Sequence, residues 1–170
     1  MAYPDILILR HLSRRPAHGY ELRKRIEETT GIIVNNNSLY PALKRFVEAG
    51  AVRMTVQQHE SRPPRHIYEL TDIGRELLHD LIAELPAAQA ADDLEFLTRL
   101  GQFGFLEPTE RAAILDTRVA ALTTLAERLA RLSGRTSGEL WSSTVVERLR
   151  ERTAAELRWL ESLREAAAQP

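Results

Sequence analysis

One stretch of this sequence departs from an otherwise helical pattern, and it limits the possible folds more than any other feature. Val52, Met54 and Val56 alternate with polar residues, which is the period of a half-buried strand. The polar stretch 57–65 contains two adjacent prolines and predicts a loop, and "HIYEL" (66–70) predicts a second short strand. Together they predict a hairpin with a long, cationic tip.

Three helical patterns precede this hairpin and one follows it. Apolar residues at helical spacing predict helices over 4–14, over 20–31 and from about 36–38 to Gly50. Pro41 requires the third helix to begin within about one turn before it. Thr71 predicts the N-cap of a fourth helix. Helix, helix, helix, hairpin, helix is the order of a winged helix-turn-helix.

The remainder of the chain reads as helical. The small-residue stretch 86–93 predicts a domain boundary, which gives one domain over 1–85 and a second over 86–170. Pro108 suits the first position of a long helix that ends near residue 133, and a last helix runs from about 139 to 167. The predicted fold class is therefore mainly α: a winged helix-turn-helix of three helices and a two-stranded wing, plus an all-α C-terminal dimerisation domain.

The two long helices predict a homodimer. Leucines at 122, 125, 129 and 132 step by three and four residues, as in a coiled coil. Burying each leucine is worth roughly 1.5–3 kcal/mol, and the rest of the chain offers little to cover them. The alternative is that they form an intrachain core. The residues predicted to lie in the dimer interface are Leu115, Val119, Leu122, Leu125, Leu129, Leu149, Leu157 and Leu160.

The third helix and the hairpin carry the residue types that bind DNA. In a winged helix, the third helix enters the major groove by its N-terminal end while the wing lies along the backbone. Asparagine pairs with adenine, serine bonds to bases or phosphates, and the free N–H groups of a helix N-terminus attract phosphate. The predicted DNA contacts are Asn36, Asn37, Ser38, Tyr40, Lys44, Arg45, Arg62 and Arg65.

Each of these residues also has a purely structural interpretation. Asn36 and Asn37 are good helix caps, so their role need not extend beyond capping. Tyr40 adjoins the apolar face of its helix and is also compatible with inward packing. The basic residues of the helix and of the wing are equally compatible with solvated surface charge.

Composition excludes several classes of protein and predicts a cytoplasmic one. There are no cysteines, and the five histidines have no spacing that places two on one helical face, so no metal and no cofactor are expected. No catalytic motif is present, and no apolar stretch is long enough to cross a membrane. The net charge is −1 and the pI is about 6.5, which argues against a non-specific architectural DNA binder. A protein-interaction module is the other competing function.

Four motifs resemble those of the PadR family of bacterial transcriptional regulators: "HGYEL" (18–22), "SLYPAL" (38–43), "EAG" (48–50) and "YELTDIG" (68–74). The resemblance implies a sequence-specific, dimeric repressor that binds a pseudo-palindromic operator and is released by a small aromatic or hydrophobic effector. Ser38, Tyr40 and Pro41 match the motif of the family's recognition helix. Tyr20 matches a tyrosine of its second helix, which implies a contact to the DNA backbone. The resemblance also suggests a ligand pocket at the dimer interface near Trp141 and Trp159.

Overall fold

The computed structural model describes residues 2–59, 62–135 and 138–169, with side chains described outside 58–64 and 135–137. The chain divides into two compact units, an N-terminal unit (Met1–Ile82) and a C-terminal unit (Ala83–Pro170). The boundary expected from the sequence lies between residues 85 and 86.

The described part of the N-terminal unit contains four helices and three strands. They are α1 (Tyr3–Leu12), β1 (Ala17–His18), α2 (Gly19–Thr30), α3 (Asn36–Glu48), β2 (Val52–His59), β3 (Arg62–Leu70) and α4 (Asp72–Ala83). The hydroxyl oxygen of Thr71 accepts the N–H of Gly74 at 3.1 Å, so Thr71 caps α4 as predicted. The predicted winged helix-turn-helix is confirmed.

The two predicted strands of the wing, β2 and β3, are present, and the sheet contains a third strand that the sequence did not predict. β3 is the central strand and pairs antiparallel with β1 on one side and β2 on the other. β1 consists only of Ala17 and His18, which face Tyr68 and Ile67. Two residues carry no readable periodicity, and their strand geometry comes from pairing with a segment about fifty positions away.

The predicted loop over 57–65 was also wrong, because both strands of the hairpin extend into it. β2 continues to His59 and β3 begins at Arg62. Gln57 faces Arg65 and His59 faces Arg62, so three steps along β3 match two along β2. This irregularity lies where the two adjacent prolines occur. Proline lacks an N–H group and is accepted within a strand mainly at edges and bulges, which explains why the prolines do not end β3.

The core of the N-terminal unit lies among its helices and at the base of the hairpin. Val52 and Leu70, which face each other there, are 2% and 5% exposed. Met54 and Val56, which the sequence predicted as half-buried, are 40% and 52% exposed. The helix residues of this unit with no more than 2% exposure are Ile6, Ile8, Leu9, Leu12, Leu22, Ile26, Leu39, Leu43 and Ile82.

The described part of the C-terminal unit is helical, as predicted. It contains two short 3-10 turns (Ala87–Gln89 and Phe103–Phe105), α5 (Asp93–Leu100), α6 (Pro108–Arg135) and α7 (Leu140–Ala167). Pro108 is the first residue of α6, where its missing N–H costs nothing. Both ends of α7 lie within one residue of the predicted bounds.

Helices α6 and α7 form an antiparallel pair within one chain. The start of α6 meets the end of α7, where a guanidinium nitrogen of Arg111 donates to the carbonyl of Gln169 at 2.7 Å. Buried residues recur at every seventh position, the repeat of a coiled coil. They are Leu115, Leu122 and Leu129 on α6, and Val146, Thr153, Leu160 and Ala167 on α7.

This pairing corrects part of the predicted dimer interface. Leu115, Leu122, Leu129 and Leu160 are at most 4% exposed within the single chain, so they leave no surface for a partner. The spacing of a coiled coil is the same whether the second helix belongs to the same chain or to another copy, which is why the sequence did not separate the two cases. The remaining predicted interface residues are only half-buried (Val119, Leu125 and Leu157) or exposed (Leu149).

Buried charged side chains attach α5 to the helix pair. Arg99 is 1% exposed and donates to the carboxylate of Glu95, which is fully buried, at 2.8 Å. Arg118 is also 1% exposed and donates to Asp93 at 2.7 Å and to Glu156 at 3.0 Å. Buried charges are costly without partners, so the contacts of Arg118 fix how α5, α6 and α7 pack. The pair of Arg99 and Glu95 lies within α5 and stabilises that helix.

Candidate nucleic-acid interface

The N-terminal end of α3, which we call its leading end, presents polar side chains to solvent. Asn35 is the N-cap, and its side-chain oxygen accepts the N–H of Ser38 at 2.9 Å. Asn36, Asn37 and Ser38 are all exposed. The sequence had allowed a capping role for Asn36 and Asn37, but the residue before them caps the helix. The side chains of Asn36 and Asn37 have no hydrogen-bond partner among the described residues.

A groove of about 510 Å³ lies beside this helix, at the start of α2 and against β3. Aromatic, basic and hydroxyl-bearing side chains dominate its walls. The lining residues are His18, Gly19, Tyr20, Glu21, Tyr40, Arg65, His66 and Tyr68. Three of them, Tyr20, Tyr40 and Arg65, belong to the set predicted from the sequence.

Tyr40 rests directly on the backbone at the start of α2. A Cβ atom at Gly19 would lie 2.8 Å from the Cε1 atom of Tyr40 and 3.1 Å from its hydroxyl oxygen, which is too close. A residue larger than glycine at this position would therefore require the ring of Tyr40 to move. Tyr40 is nevertheless 45% exposed, so it combines the predicted inward packing with a hydroxyl that faces the groove.

Tyr68 forms the buried wall of the groove. It lies on β3 between Ala17 and Met54, its neighbours on the two flanking strands, and is 7% exposed. Burial raises the pKa of its hydroxyl, and the nearby Tyr40 raises it further. The hydroxyl of Tyr68 therefore stays protonated at neutral pH and remains able to donate a hydrogen bond.

Glu21, the carboxylate among the described residues that line the groove, is held by two arginines. Arg25 donates to it at 2.8 Å and Arg15 at 3.1 Å. The hydrogen bond from Arg25 is the main cause of the lowered pKa of Glu21, partly offset by burial. The negative charge is thus neutralised locally, and the exposed Arg65, on β3, adds a positive charge to the groove.

The two basic residues further along α3 differ in their surroundings. Lys44 is exposed and lies 3.8 Å from Glu48, an arrangement that leaves its ammonium group in solvent. A guanidinium nitrogen of Arg45 lies 2.6 Å from Asp5 on α1, and the group stacks 5.3 Å from the ring centre of Phe46. Arg45 therefore attaches α3 to α1, which favours a structural role for it.

The remaining predicted contacts lie around the rim of the groove or outside the described side chains. Tyr20 is 67% exposed, and the guanidinium of Arg23 lies 5.6 Å from its ring centre. The side chain of Arg62 lies outside the described part of the structure. The sequence alone did not predict a site role for Gly19, His18, His66 or Tyr68. Three of them, His18, Gly19 and Tyr68, stand within the motifs that resemble the PadR family, and this was the signal that the sequence offered.

The two tryptophans do not form a pocket within one chain. They lie 18 positions apart on α7, a separation of about 27 Å along a helix. Trp159 makes an edge-to-face contact with Phe96 at 6.2 Å between ring centres, and Trp141 is 79% exposed. The ligand pocket suggested for this pair was placed at a dimer interface, which a single chain does not test, so it stays a prediction.

The described residues contain no metal-binding group of three or more histidines and carboxylates. Among the same residues, no helix has the length and hydropathy of a membrane span. The element order and the exposed, polar end of α3 define a winged helix-turn-helix of the DNA-binding class.

Comparison with known proteins identifies the family. The family model described as "Transcriptional regulator PadR-like family" matches residues 8–80. A PadR family regulator from Eggerthella lenta DSM 2243 is 31% identical over 48% of this chain and 72% of its own, with a TM-score of 0.42. A PadR family regulator from Clostridium difficile R20291 is 30% identical over 45% of this chain and 79% of its own, with a TM-score of 0.41.

A third structure extends over the whole chain. Bacillus subtilis PadR in complex with operator DNA is 21% identical over 98% of both chains, with a TM-score of 0.47. No curated protein matches the sequence significantly. On the sequence matches over its N-terminal unit, this chain belongs to the PadR-like family of transcriptional regulators, and it is therefore not an enzyme.

Proposed function

We propose that this protein binds a pseudo-palindromic operator as a homodimer and represses transcription until a small effector releases it. In this proposal, the N-terminal unit reads one half-site and the C-terminal unit joins two copies. The observation that carries it is the leading end of α3, where exposed polar side chains stand beside a groove lined by hydroxyl and basic groups.

The exposed asparagines supply the base contacts. Asn36 and Asn37 occupy the first turn of α3, the part of a recognition helix that meets base edges in the major groove. An asparagine amide pairs bidentately with N6 and N7 of adenine. Since neither side chain has a described partner in the protein, both are free to make this contact. Ser38 adds a hydroxyl that bonds to a base or a phosphate.

The groove supplies the phosphate contacts. The hydroxyls of Tyr40 and Tyr68, the first N–H groups of α2 and the guanidinium of Arg65 all border the same space. Donors of these kinds are the usual partners of DNA phosphates, and they set the position of the protein without reading sequence. From the sequence analysis, Arg62 is included as a second wing contact, with Lys44 and Tyr20 at the rim.

An exposed apolar face on α7 supports the homodimer. Trp141, Val145 and Leu149 lie four residues apart on one side of the helix, and we call them the α7 stripe. They are 79%, 60% and 41% exposed in the single chain. A second copy that covers the stripe would place two N-terminal units on one duplex. Half-sites should then lie about 10 bp apart, centre to centre, or a multiple of that distance.

The release of the repressor by an effector follows from the family resemblance. A small aromatic or hydrophobic molecule that binds one dimer geometry better than another would shift the dimer away from the spacing of the half-sites. Operator affinity measured across a panel of such molecules tests this part. An affinity that no member of the panel changes would contradict it.

Selection from randomised duplexes tests the DNA-binding proposal. The wild type should enrich an inverted repeat. Tyr40→Phe keeps the ring that packs on Gly19 but removes the hydroxyl, so it should bind about tenfold more weakly with the same sequence preference. Tyr3→Phe is the matched control, since Tyr3 lies on α1 and does not line the groove.

Two outcomes would contradict the proposal. Absence of any enriched sequence at low salt would remove the operator-binding function. Equal affinity of the wild type for all duplexes would indicate a non-specific binder instead.

A further inference from the structure

The segment that joins α2 to α3 exposes one aliphatic side chain beside the leading end of α3. Ile33 is 71% exposed, whereas the next residue, Val34, is 3% exposed. Residues 31–35 belong to no helix or strand, and Val34 packs into the core while Ile33 faces solvent. Isolated exposed apolar residues are common on protein surfaces, and the position of Ile33 is what sets it apart.

The backbone on both sides of Ile33 is fixed by side-chain hydrogen bonds. Gly31 ends α2 with a φ of 69°, a left-handed conformation that favours glycine. The hydroxyl of Thr30 accepts the N–H of Ile32 at 3.1 Å and donates to the carbonyl of Ile26 at 2.7 Å. Two residues beyond Ile33, Asn35 caps α3. Ile33 is therefore held outward by a constrained turn.

We propose that Ile33 is a specificity-determining residue that contacts the methyl group of a thymine in the operator. This inference rests on the proposed function, in which the leading end of α3 lies in the major groove. Ile33 stands three residues before Asn36 and is exposed on the approach to that end. Any apolar group that reaches the groove there meets base edges.

The chemistry of the major groove leaves one natural partner for an aliphatic side chain. Thymine alone among the four bases displays a methyl group there, and the other edges present polar atoms. An A·T pair also offers adenine N6 and N7, the partners of asparagine. Asn36 or Asn37 together with Ile33 thus matches a half-site in which adenine and thymine contacts are adjacent.

Deoxyuridine substitution isolates this contact, because it removes the methyl group and leaves the hydrogen-bonding edge of thymine unchanged. The duplex enriched by the wild type is prepared with each thymine replaced in turn, symmetrically in both half-sites. At one position, the wild type should lose about three- to fivefold in affinity per half-site. Ile33→Ala should bind the thymine and deoxyuridine duplexes equally.

Ile73→Ala is the matched control. Ile73 is 58% exposed, and its Cδ1 atom would lie 3.8 Å from a Cβ at Gly50, so it stands near the opposite end of α3. This variant should retain the full sensitivity of the wild type to deoxyuridine. Because both isoleucines are exposed, neither truncation should alter the thermal unfolding of the chain.

Three results would overturn the inference. The wild type binds every deoxyuridine duplex as tightly as the parent, or Ile33→Ala keeps the same loss at the sensitive position. In a third case, Ile33→Ala weakens all duplexes equally and dissociates the dimer, which would indicate that a second copy covers Ile33. A wild type that binds no duplex would overturn the proposed function together with this inference.

Discussion

Helices α3 and α7 each bury one face within the chain and expose another, and the exposed faces differ in chemistry. On α3, Leu39 and Leu43 are buried while Asn36 and Asn37 face solvent. On α7, the residues at seven-residue spacing are buried, and the α7 stripe remains exposed. Exposed polar side chains favour a partner with hydrogen-bonding edges, whereas an exposed apolar stripe favours a protein surface. This difference is why we propose DNA as the partner of α3 and a second copy of the chain as the partner of α7.

The largest effect is expected from the buried charges of the C-terminal unit. Glu95→Ala leaves Arg99 buried without its carboxylate, so the free energy of unfolding should fall by about 3–5 kcal/mol. Tryptophan fluorescence during urea unfolding measures it, because both tryptophans lie on α7. Glu151→Ala breaks an exposed pair with Arg148 and is the control, with an expected loss of at most about 1 kcal/mol. Equal losses would show that burial does not distinguish these pairs.

The second prediction separates the intrachain core from the proposed interface. Leu122→Ala should lower the free energy of unfolding by about 2–5 kcal/mol at any protein concentration, because Leu122 is 4% exposed. Leu149→Ala should cost less than about 1 kcal/mol in the monomer, since Leu149 is 41% exposed. Urea unfolding at several protein concentrations provides both values. A small loss in the free energy of unfolding for Leu122→Ala would indicate that Leu122 lies in the dimer interface and not in the intrachain core.

The third prediction separates capping from recognition at the start of α3. Asn35→Ala removes the acceptor for the N–H of Ser38 and should lower stability by about 1 kcal/mol. Asn36→Ala should leave stability within about 0.5 kcal/mol of the wild type and weaken binding to the selected operator. Thermal unfolding followed by circular dichroism, together with an operator titration, measures the two effects. A loss of stability in Asn36→Ala and not in Asn35→Ala would show that Asn36, and not Asn35, caps α3.

The smallest effect is a dependence of stability on pH in the N-terminal unit. His11 is 4% exposed; one ring nitrogen lies 2.7 Å from the carbonyl of Leu7 and the other 2.7 Å from the hydroxyl of Thr29. Burial lowers the pKa of His11, and the hydrogen bond to Leu7 opposes this only in part. Three nearby arginines, at positions 10, 14 and 25, lower it further.

The sign of the pH effect follows from this lowered pKa. The folded state favours neutral His11. Its contribution to the free energy of unfolding is therefore complete above the ordinary histidine pKa of about 6.5 and is lost as the pH falls below that value. Thermal unfolding between about pH 5 and pH 7.5 should therefore show lower stability at the acidic end. His11→Gln should reduce this dependence. An unchanged dependence in the variant would assign it to other groups.

The sequence predicted the helices well because each carries its own periodicity and end signals. Pro108 marked the start of α6, Thr71 capped α4, and the third helix began within the predicted turn before Pro41. These signals are local, so they need no knowledge of the partner on which a helix packs.

What the sequence did not reveal depends on contacts between distant segments. β1 exists only through its pairing with β3, and the choice of partner for α6 is not encoded in leucine spacing. Three consecutive asparagines carry the same capping signal, so the cap could not be assigned to Asn35 beforehand. The fit of Tyr40 on Gly19 likewise required the structure, although both residues stood within recognised motifs.

We propose that α3 contacts DNA and that α7 contacts a second copy of the chain. The most direct test is a selection from randomised duplexes with Val145→Glu beside the wild type. Val145 is 60% exposed in the α7 stripe, and Thr144→Glu places the same charge on an adjacent exposed position as control. We predict that the wild type and Thr144→Glu enrich an inverted repeat, whereas Val145→Glu enriches a single half-site more weakly. Enrichment of the same inverted repeat by Val145→Glu, with undiminished affinity, would contradict the account.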